Sequence, residues 1–136
     1  MRKRILLVDD EPAIQRLVSI TLGTADFDVV IAGDGEVAVQ TALAQPPDLI
    51  LLDVALPERD GFSVAGILRA NPRTAHIPIV MLTARGSPED KAQGKALGVE
   101  HYFVKPFSPL QLLSAIYEFL DAEQMVSRHL PARKIG

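Results

Sequence analysis

Ile5-Leu6-Leu7-Val8-Asp9-Asp10-Glu11 is four aliphatic residues without a polar break, followed at once by three acids. A continuous rather than alternating aliphatic run marks a strand buried on both faces, as in a parallel sheet covered by helices on each side. Four more such runs follow: Val29 to Ala32, Leu49 to Leu52, Ile79 to Leu82 and Tyr102 to Val104. The segments between them have helical spacing. Ala13, Ile14, Leu17, Val18, Thr21 and Leu22 form one stripe, with Pro12 suited to its first turn and Gly23 to its end. Val37, Ala38, Thr41 and Ala42 form a weaker one, stopped by Pro46-Pro47, and Phe62, Ala65 and Leu68 a third, stopped by Asn71-Pro72. Ser87-Pro88-Glu89-Asp90 reads as a capped start of a fourth helix ending near Gly98. Gly94 inside it costs roughly 1 kcal/mol relative to Ala, which predicts the least rigid of the helices. Ser108-Pro109 starts the fifth, carrying Leu110, Leu113, Ile116, Tyr117 and Leu120.

Strand and helix thus alternate five times, the pattern of a doubly wound α/β sheet with right-handed crossovers. The chain of 136 residues is long enough for one such domain and too short for two packed catalytic domains. Its formal charge of -3 excludes a broad basic field for nucleic acid, and the absence of cysteine excludes disulfides, thiol nucleophiles and cysteine zinc sites. No apolar run reaches the length of a membrane span, and the run after Met1-Arg2-Lys3-Arg4 is too short for a signal-peptide core. The expectation is a cytoplasmic domain without membrane or direct nucleic-acid contact.

In sheets of this kind, ligands gather beyond the carboxyl ends of the strands. There the chain places Asp9-Asp10-Glu11 after strand one, Asp53 after strand three, Thr83-Ala84 after strand four and Lys105-Pro106 after strand five. If strands one and three are neighbours, Asp9, Asp10 and Asp53 share one mouth. Their mutual repulsion would be relieved by a hard divalent cation such as Mg²⁺ and by the Lys105 ammonium. Such a constellation suits phosphoryl transfer, with Asp53 as nucleophile, Asp10 and Asp9 serving the metal, and Thr83 and Lys105 gripping the phosphoryl oxygens. Each residue also has a plainer reading. Acids at a helix start are favoured by the macrodipole, Thr83 could be a turn residue and Tyr102 could be packing.

The chain resembles the receiver domains of two-component response regulators. The likeness spans residues 3 to 121 and rests on the opening run, on Asp53 with Leu56-Pro57 and Asp60-Gly61, on Leu82-Thr83-Ala84, and on Tyr102-Phe103-Val104-Lys105-Pro106-Phe107. The resemblance implies a flavodoxin-like five-stranded parallel sheet of order 2-1-3-4-5 with helices on both faces. It implies phosphorylation of Asp53 from a phosphohistidine of a sensor histidine kinase or phosphotransfer protein, with Mg²⁺ as cofactor. Asp10, Asp53 and the backbone carbonyl of Ala55 would bind the metal directly and Asp9 through water. It further implies a cis Lys105-Pro106 peptide, and a switch in which Thr83 moves toward the phosphoryl group, Tyr102 turns inward, and the surface of the fourth helix, fifth strand and fifth helix is remodelled. That surface would meet a downstream output domain or protein partner, or a second copy in a homodimer.

Such a module would be no enzyme in the ordinary sense, acting only in its own phosphorylation and dephosphorylation. Two alternatives share its chemistry. A phosphatase of the haloacid dehalogenase type would place an Asp-x-Asp nucleophile at the first strand, where this chain has Asp-Asp-Glu. A pseudo-receiver would have lost the acceptor, an acid or the lysine, and all are present. Gly33-Asp34-Gly35 lacks the third glycine of a dinucleotide fingerprint and reads as a turn, and His76, His101 and His129 show no ligand spacing.

Residues 1–121 are expected to form the receiver and 122–136 a helical extension or linker tail. The helical spacing continues through Phe119, Ala122, Val126 and Leu130 before Pro131. A helix from Leu110 to Leu130 would measure roughly 30 Å, and its distal half would need a second copy or an output domain to pack on, or would fray. Beside the site, Ala55 leaves a path for water, while Arg85 could shield an acyl phosphate or pair with Glu58. These two positions are expected to set the phosphate lifetime. Exchanging both should change the dephosphorylation rate, and unchanged kinetics would remove the idea.

Overall fold

A computed structural model describes residues 2–25, 27–56, 60–84, 86–99 and 101–127, the last seven by their helical backbone. Five strands and five helices alternate: β1 Lys3–Val8, α1 Pro12–Gly23, β2 Phe27–Ala32, α2 Gly35–Ala44, β3 Leu49–Asp53, α3 Gly61–Ala70, β4 Ile79–Thr83, α4 Pro88–Ala96, β5 His101–Val104 and α5 Pro109–Ser127. The strands form one parallel sheet in the order β2-β1-β3-β4-β5. This is the doubly wound architecture expected from the sequence.

The pleat divides the aliphatic runs between two cores. Leu6, Val8, Ile50, Leu52 and Met81 point to one side, where Ala38 and Ala42 of α2 and Phe62, Val64, Ala65 and Leu68 of α3 cover them. Ile5, Leu7, Leu49, Leu51, Val80 and Leu82 point to the other, under Val18 and Leu22 of α1 and Leu112, Ile116 and Leu120 of α5. Two-sided burial holds for β3 and β4 throughout, and for β1 from Ile5 onward. It does not hold at the sheet edges, where Ile31 in β2 is 40% and Val104 in β5 46% exposed, because each edge strand has a neighbour on one side alone. The strands β1 and β2 also begin before their aliphatic runs. Lys3 pairs with Phe27 and Arg4 with Asp28, and backbone pairing needs no apolar side chain.

Helix registers follow docking more than composition. Along α5 the buried stripe is Leu112, Ile116 and Leu120, while Leu110 is 76% exposed, so the leucine cluster offered two phases and packing selected one. Val37 likewise faces outward on α2. Asp34, from the Gly33-Asp34-Gly35 turn, caps α2 by accepting from Val37 N, and Ser87 caps α4 by accepting from Asp90 N. Along α4 itself the buried position is Gly94, so this helix lies on the body with little aliphatic anchorage.

Beyond the strand ends the ladder continues. Asp9 N donates to Ala32 O, Val54 N to Leu82 O and Lys105 N to Thr83 O, which fixes the backbone from which the site residues project. On the opposite side of α3, Arg69 donates through Nε to Leu97 O at 2.9 Å and through one terminal nitrogen to Ala75 O and Ile77 O at 2.9 and 2.7 Å. One planar guanidinium thereby ties α3, the end of α4 and the approach to β4. Arg69→Met is expected to cost about 2 kcal/mol, seen as a lower denaturant midpoint at unchanged slope. Arg69→Lys should restore little of it, because an ammonium lacks the fork that spans these carbonyls.

Candidate functional site

The acids of the first strand end separate according to the pleat and the start of α1. Asp9 is fully buried and its Oδ1 accepts from Glu11 N at 2.9 Å, closing a local turn. Asp10 is exposed at the rim. Gln15, one turn into α1, donates through Nε2 to the Asp9 carbonyl at 2.8 Å and braces the turn from outside.

Asp53 ends β3 with 4% of its surface exposed. Its Oδ1 accepts from Ala55 N at 3.1 Å and its Oδ2 lies 3.3 Å from Lys105 Nζ. The loop after β3 folds back so closely that Gly61 N donates to Val54 O at 2.8 Å, and a Cβ on Gly61 would run into the Asp53 backbone carbonyl. Only glycine lets α3 begin there, a requirement the sequence reading did not extract from Asp60-Gly61.

Lys105 reaches across from just beyond the end of β5 and is joined to Pro106 by a cis peptide. Its ammonium is 2.8 Å from Asp9 Oδ2, 2.6 Å from Glu11 Oε1 and 3.3 Å from Asp53 Oδ2. Burial works against that charge, but the adjacent Asp9 carboxylate, the hydrogen bond to Glu11 and the attraction of Asp53 outweigh it and hold the Lys105 pKa above the usual lysine range. Nothing in the sequence around Glu11 points to a role for it beyond that of one of three consecutive acids. Its pairing with Lys105, 94 residues away, emerges only once β1 and β5 are set in one sheet.

One ammonium does not neutralise this mouth. Asp53 is raised above the ordinary carboxylate pKa by burial and by the Asp9 charge, against the lowering effects of the Ala55 N–H and Lys105. Asp9 Oδ2 is buried and, although the ammonium stands 2.8 Å away, it accepts no aligned hydrogen bond. Asp9, Asp10 and Asp53 each offer an oxygen within 4.8 Å of the other two. For a hard cation with metal–oxygen distances near ~2.1 Å, opposite ligands are separated by about 4 Å. The three carboxylates therefore fit a small divalent ion with modest side-chain adjustment, and the all-oxygen donor set matches Mg²⁺ chemistry.

Thr83 ends β4, one residue beyond the Leu82 that pairs with Asp53, and is buried with its Oγ1 accepting from Gly86 N at 3.3 Å. Ala55 is exposed beside Asp53. Pro57, Glu58 and Arg85, together with the stretch from Arg128 through His129 to Gly136, lie outside the described residues. Tyr102 lies outside this group. Its ring projects from β5 toward α4, where the hydroxyl proton is shared between Asp90 O at 3.1 Å and Lys91 O at 3.2 Å. Burial and the nearby Asp90 raise the Tyr102 pKa. The sheet therefore unites Asp9, Asp10, Asp53, Thr83 and Lys105 at one edge, and places Tyr102 on the adjoining face.

The family described as the response regulator receiver domain matches residues 5–117. The DNA-binding dual master transcriptional regulator RpaA of Synechocystis sp. is 47% identical over 117 residues, which are 86% of this chain and 48% of that protein. The chain thus spans about half the length of this curated relative. Among solved structures, the chemotaxis protein CheY4 of Vibrio cholerae superposes with a TM-score of 0.83 at 37% identity, over 87% of this chain and 98% of that one. The BeF3-activated N-terminal receiver domain of Klebsiella pneumoniae RstA superposes with a TM-score of 0.78 at 32% identity, over 86% and 97%. With the sheet order, the strand-end acids and these likenesses in agreement, the chain belongs to the receiver-domain family of two-component response regulators.

Proposed function

We propose that this receiver accepts a phosphoryl group on Asp53 from the phosphohistidine of a sensor histidine kinase or phosphotransfer protein in the cytoplasm, and that phosphorylation rearranges the α4-β5-α5 face. The observation that carries the proposal is the buried Asp53 carboxylate, set by the Ala55 N–H and flanked by Lys105 and two further carboxylates. In the transfer, an O–P bond forms at Asp53 as the P–N bond of the phosphohistidine breaks, the electron pair returning to the imidazole nitrogen. Lys105 neutralises charge gathering on the phosphoryl oxygens, and Thr83 donates its hydroxyl to one of them after leaving Gly86 N. Asp10, Asp53 and the Ala55 carbonyl would hold Mg²⁺, with Asp9 acting through water. The ion supplies electrostatic stabilisation of the transferring group.

No observation favours a phosphatase of the haloacid dehalogenase type, whose nucleophile would stand after β1. Every residue whose loss marks a pseudo-receiver is retained. The proposed receiver unit is 1–121 with 122–136 as extension. The backbone of α5 runs through that boundary to Ser127, giving the surface a route toward an output domain, a separate partner or a second copy. Among the described residues no helix is long and apolar enough to cross a membrane.

Acetyl phosphate with Mg²⁺ should add one phosphoryl group to the wild-type chain and none to Asp53→Asn, as read by intact mass. Modification of both or of neither overturns the assignment. A thermal measurement tests the electrostatics independently. Because the folded pKa of Asp53 is raised, the native state binds its proton more tightly than the unfolded one, and this contribution to stability is lost as pH rises through the raised value. In metal-free buffer at neutral pH, Asp53→Asn should therefore raise Tm by a measurable margin of a few degrees. The gain should shrink in acid as the wild-type carboxyl takes up its proton. Mg²⁺ should raise the Tm of wild type and have much less effect on the variant.

A further inference from the structure

Gly94 lies buried in the last turn of α4, still at a helical position where propensity favours alanine over glycine. A methyl group built there would run into the Tyr102 hydroxyl, with the ring carbon bearing it 2.9 Å away. The tyrosine therefore rests on bare helix backbone, with its hydroxyl donating one turn earlier to Asp90 O and Lys91 O. Leaving out the side chain at Gly94 makes the room that this position requires.

Although α4 has little aliphatic anchorage, its carboxyl end is closed by hydrogen bonds. The Gly94 carbonyl accepts from Leu97 N at 2.9 Å and from Val99 N at 2.8 Å, closing the helix around Gly98 at a φ of 76°. Arg69 then pins Leu97 O from α3. Helix closure and a guanidinium clamp both oppose retreat of this segment, whereas the Tyr102 hydroxyl is the far end of a side chain that can turn about its torsions once its two hydrogen bonds to α4 break. A clash at this contact is relieved most cheaply by the ring leaving.

We propose that Gly94 is a positioning residue, the seat that holds Tyr102 outward in the resting receiver, and that a single methyl group there drives the chain toward its phosphorylated form. The proposal rests on the reading of Tyr102 as the switch residue. It extends that reading to a residue of α4 that touches neither phosphate nor metal. The resting state is held at two points of one segment: Gly86 N on the Thr83 hydroxyl, and the α4 carbonyls with Gly94 on the Tyr102 ring. Removing the second lowers the cost of the rearrangement, and a ligand that selects the rearranged form then binds more tightly by linkage.

Two measurements test this. In a thermal double-mutant cycle, Gly94→Ala should lower Tm in the wild-type background and raise it in Tyr102→Leu, where the ring is gone and only the helix preference of alanine remains. Additive effects of one sign overturn the seat. In chains carrying Tyr117→Phe and labelled with 3-fluorotyrosine, the single ¹⁹F signal from Tyr102 should move when beryllofluoride and Mg²⁺ are added. In Gly94→Ala it should already lie toward that second position without them, and half-saturation with beryllofluoride at fixed Mg²⁺ should need about threefold less ligand or lower. A resting signal and affinity unchanged by Gly94→Ala overturn the coupling. A signal that fails to move in the Gly94-containing chain overturns the switch reading itself, while the thermal cycle still judges the seat on its own.

Discussion

The Lys105 ammonium, held among Asp9, Glu11 and Asp53, is the contact on which the rest of the site depends. It is a cation buried with more negative charge than it can cancel. Two buried carboxylates on neighbouring strands would otherwise strongly oppose folding, and removing the lysine would leave them uncompensated. Over-neutralising them would leave nothing to attract a divalent ion. The arrangement sits between these limits, paired enough to fold and still anionic enough that its three aspartates could hold a metal ion.

The sheet makes that balance geometrically possible. Parallel strands place all their carboxyl ends on one edge, and the order β2-β1-β3-β4-β5 brings the ends of β1 and β3 together with β4 alongside. Ladder bonds that run past the last strand residue, such as Lys105 N to Thr83 O, then fix the backbone of the donors. Adjustment is left to side chains. The acids project from the hydrogen-bonded edge of the sheet, while the neighbouring α4 has a glycine as its buried helical position.

How much of this was legible in the sequence depended on whether the signal was local. Aliphatic runs, caps at Ser87 and stops at paired prolines are local, and the elements they predicted are present with ends displaced by a few residues. The acids at strand ends were legible because a parallel topology converts sequence position after a strand into spatial proximity. Docking was not legible: Leu110 and Leu112 are equally apolar, and only the fit of α5 on the sheet decides that Leu112 is buried. Glu11 needed a partner 94 residues away, and Arg69 needed three carbonyls from two separate segments. Gly94 was read as a weakness in a helix because propensity scales register the missing side chain and are blind to the ring that occupies its place.

The sparse burial of α4 has a consequence for how such a domain diversifies. A helix that contributes large aliphatic side chains to a core is constrained at every third or fourth position by packing. Along α4 the interior asks for little more than the absence of a side chain at Gly94, and Lys91, Ala92, Gln93, Lys95 and Ala96 all face solvent. Those positions can be rewritten one at a time without refolding the sheet or disturbing the acids at its edge. The outer face of α4 and the strand-end acids are thus physically independent surfaces, and change at one leaves the other as it is.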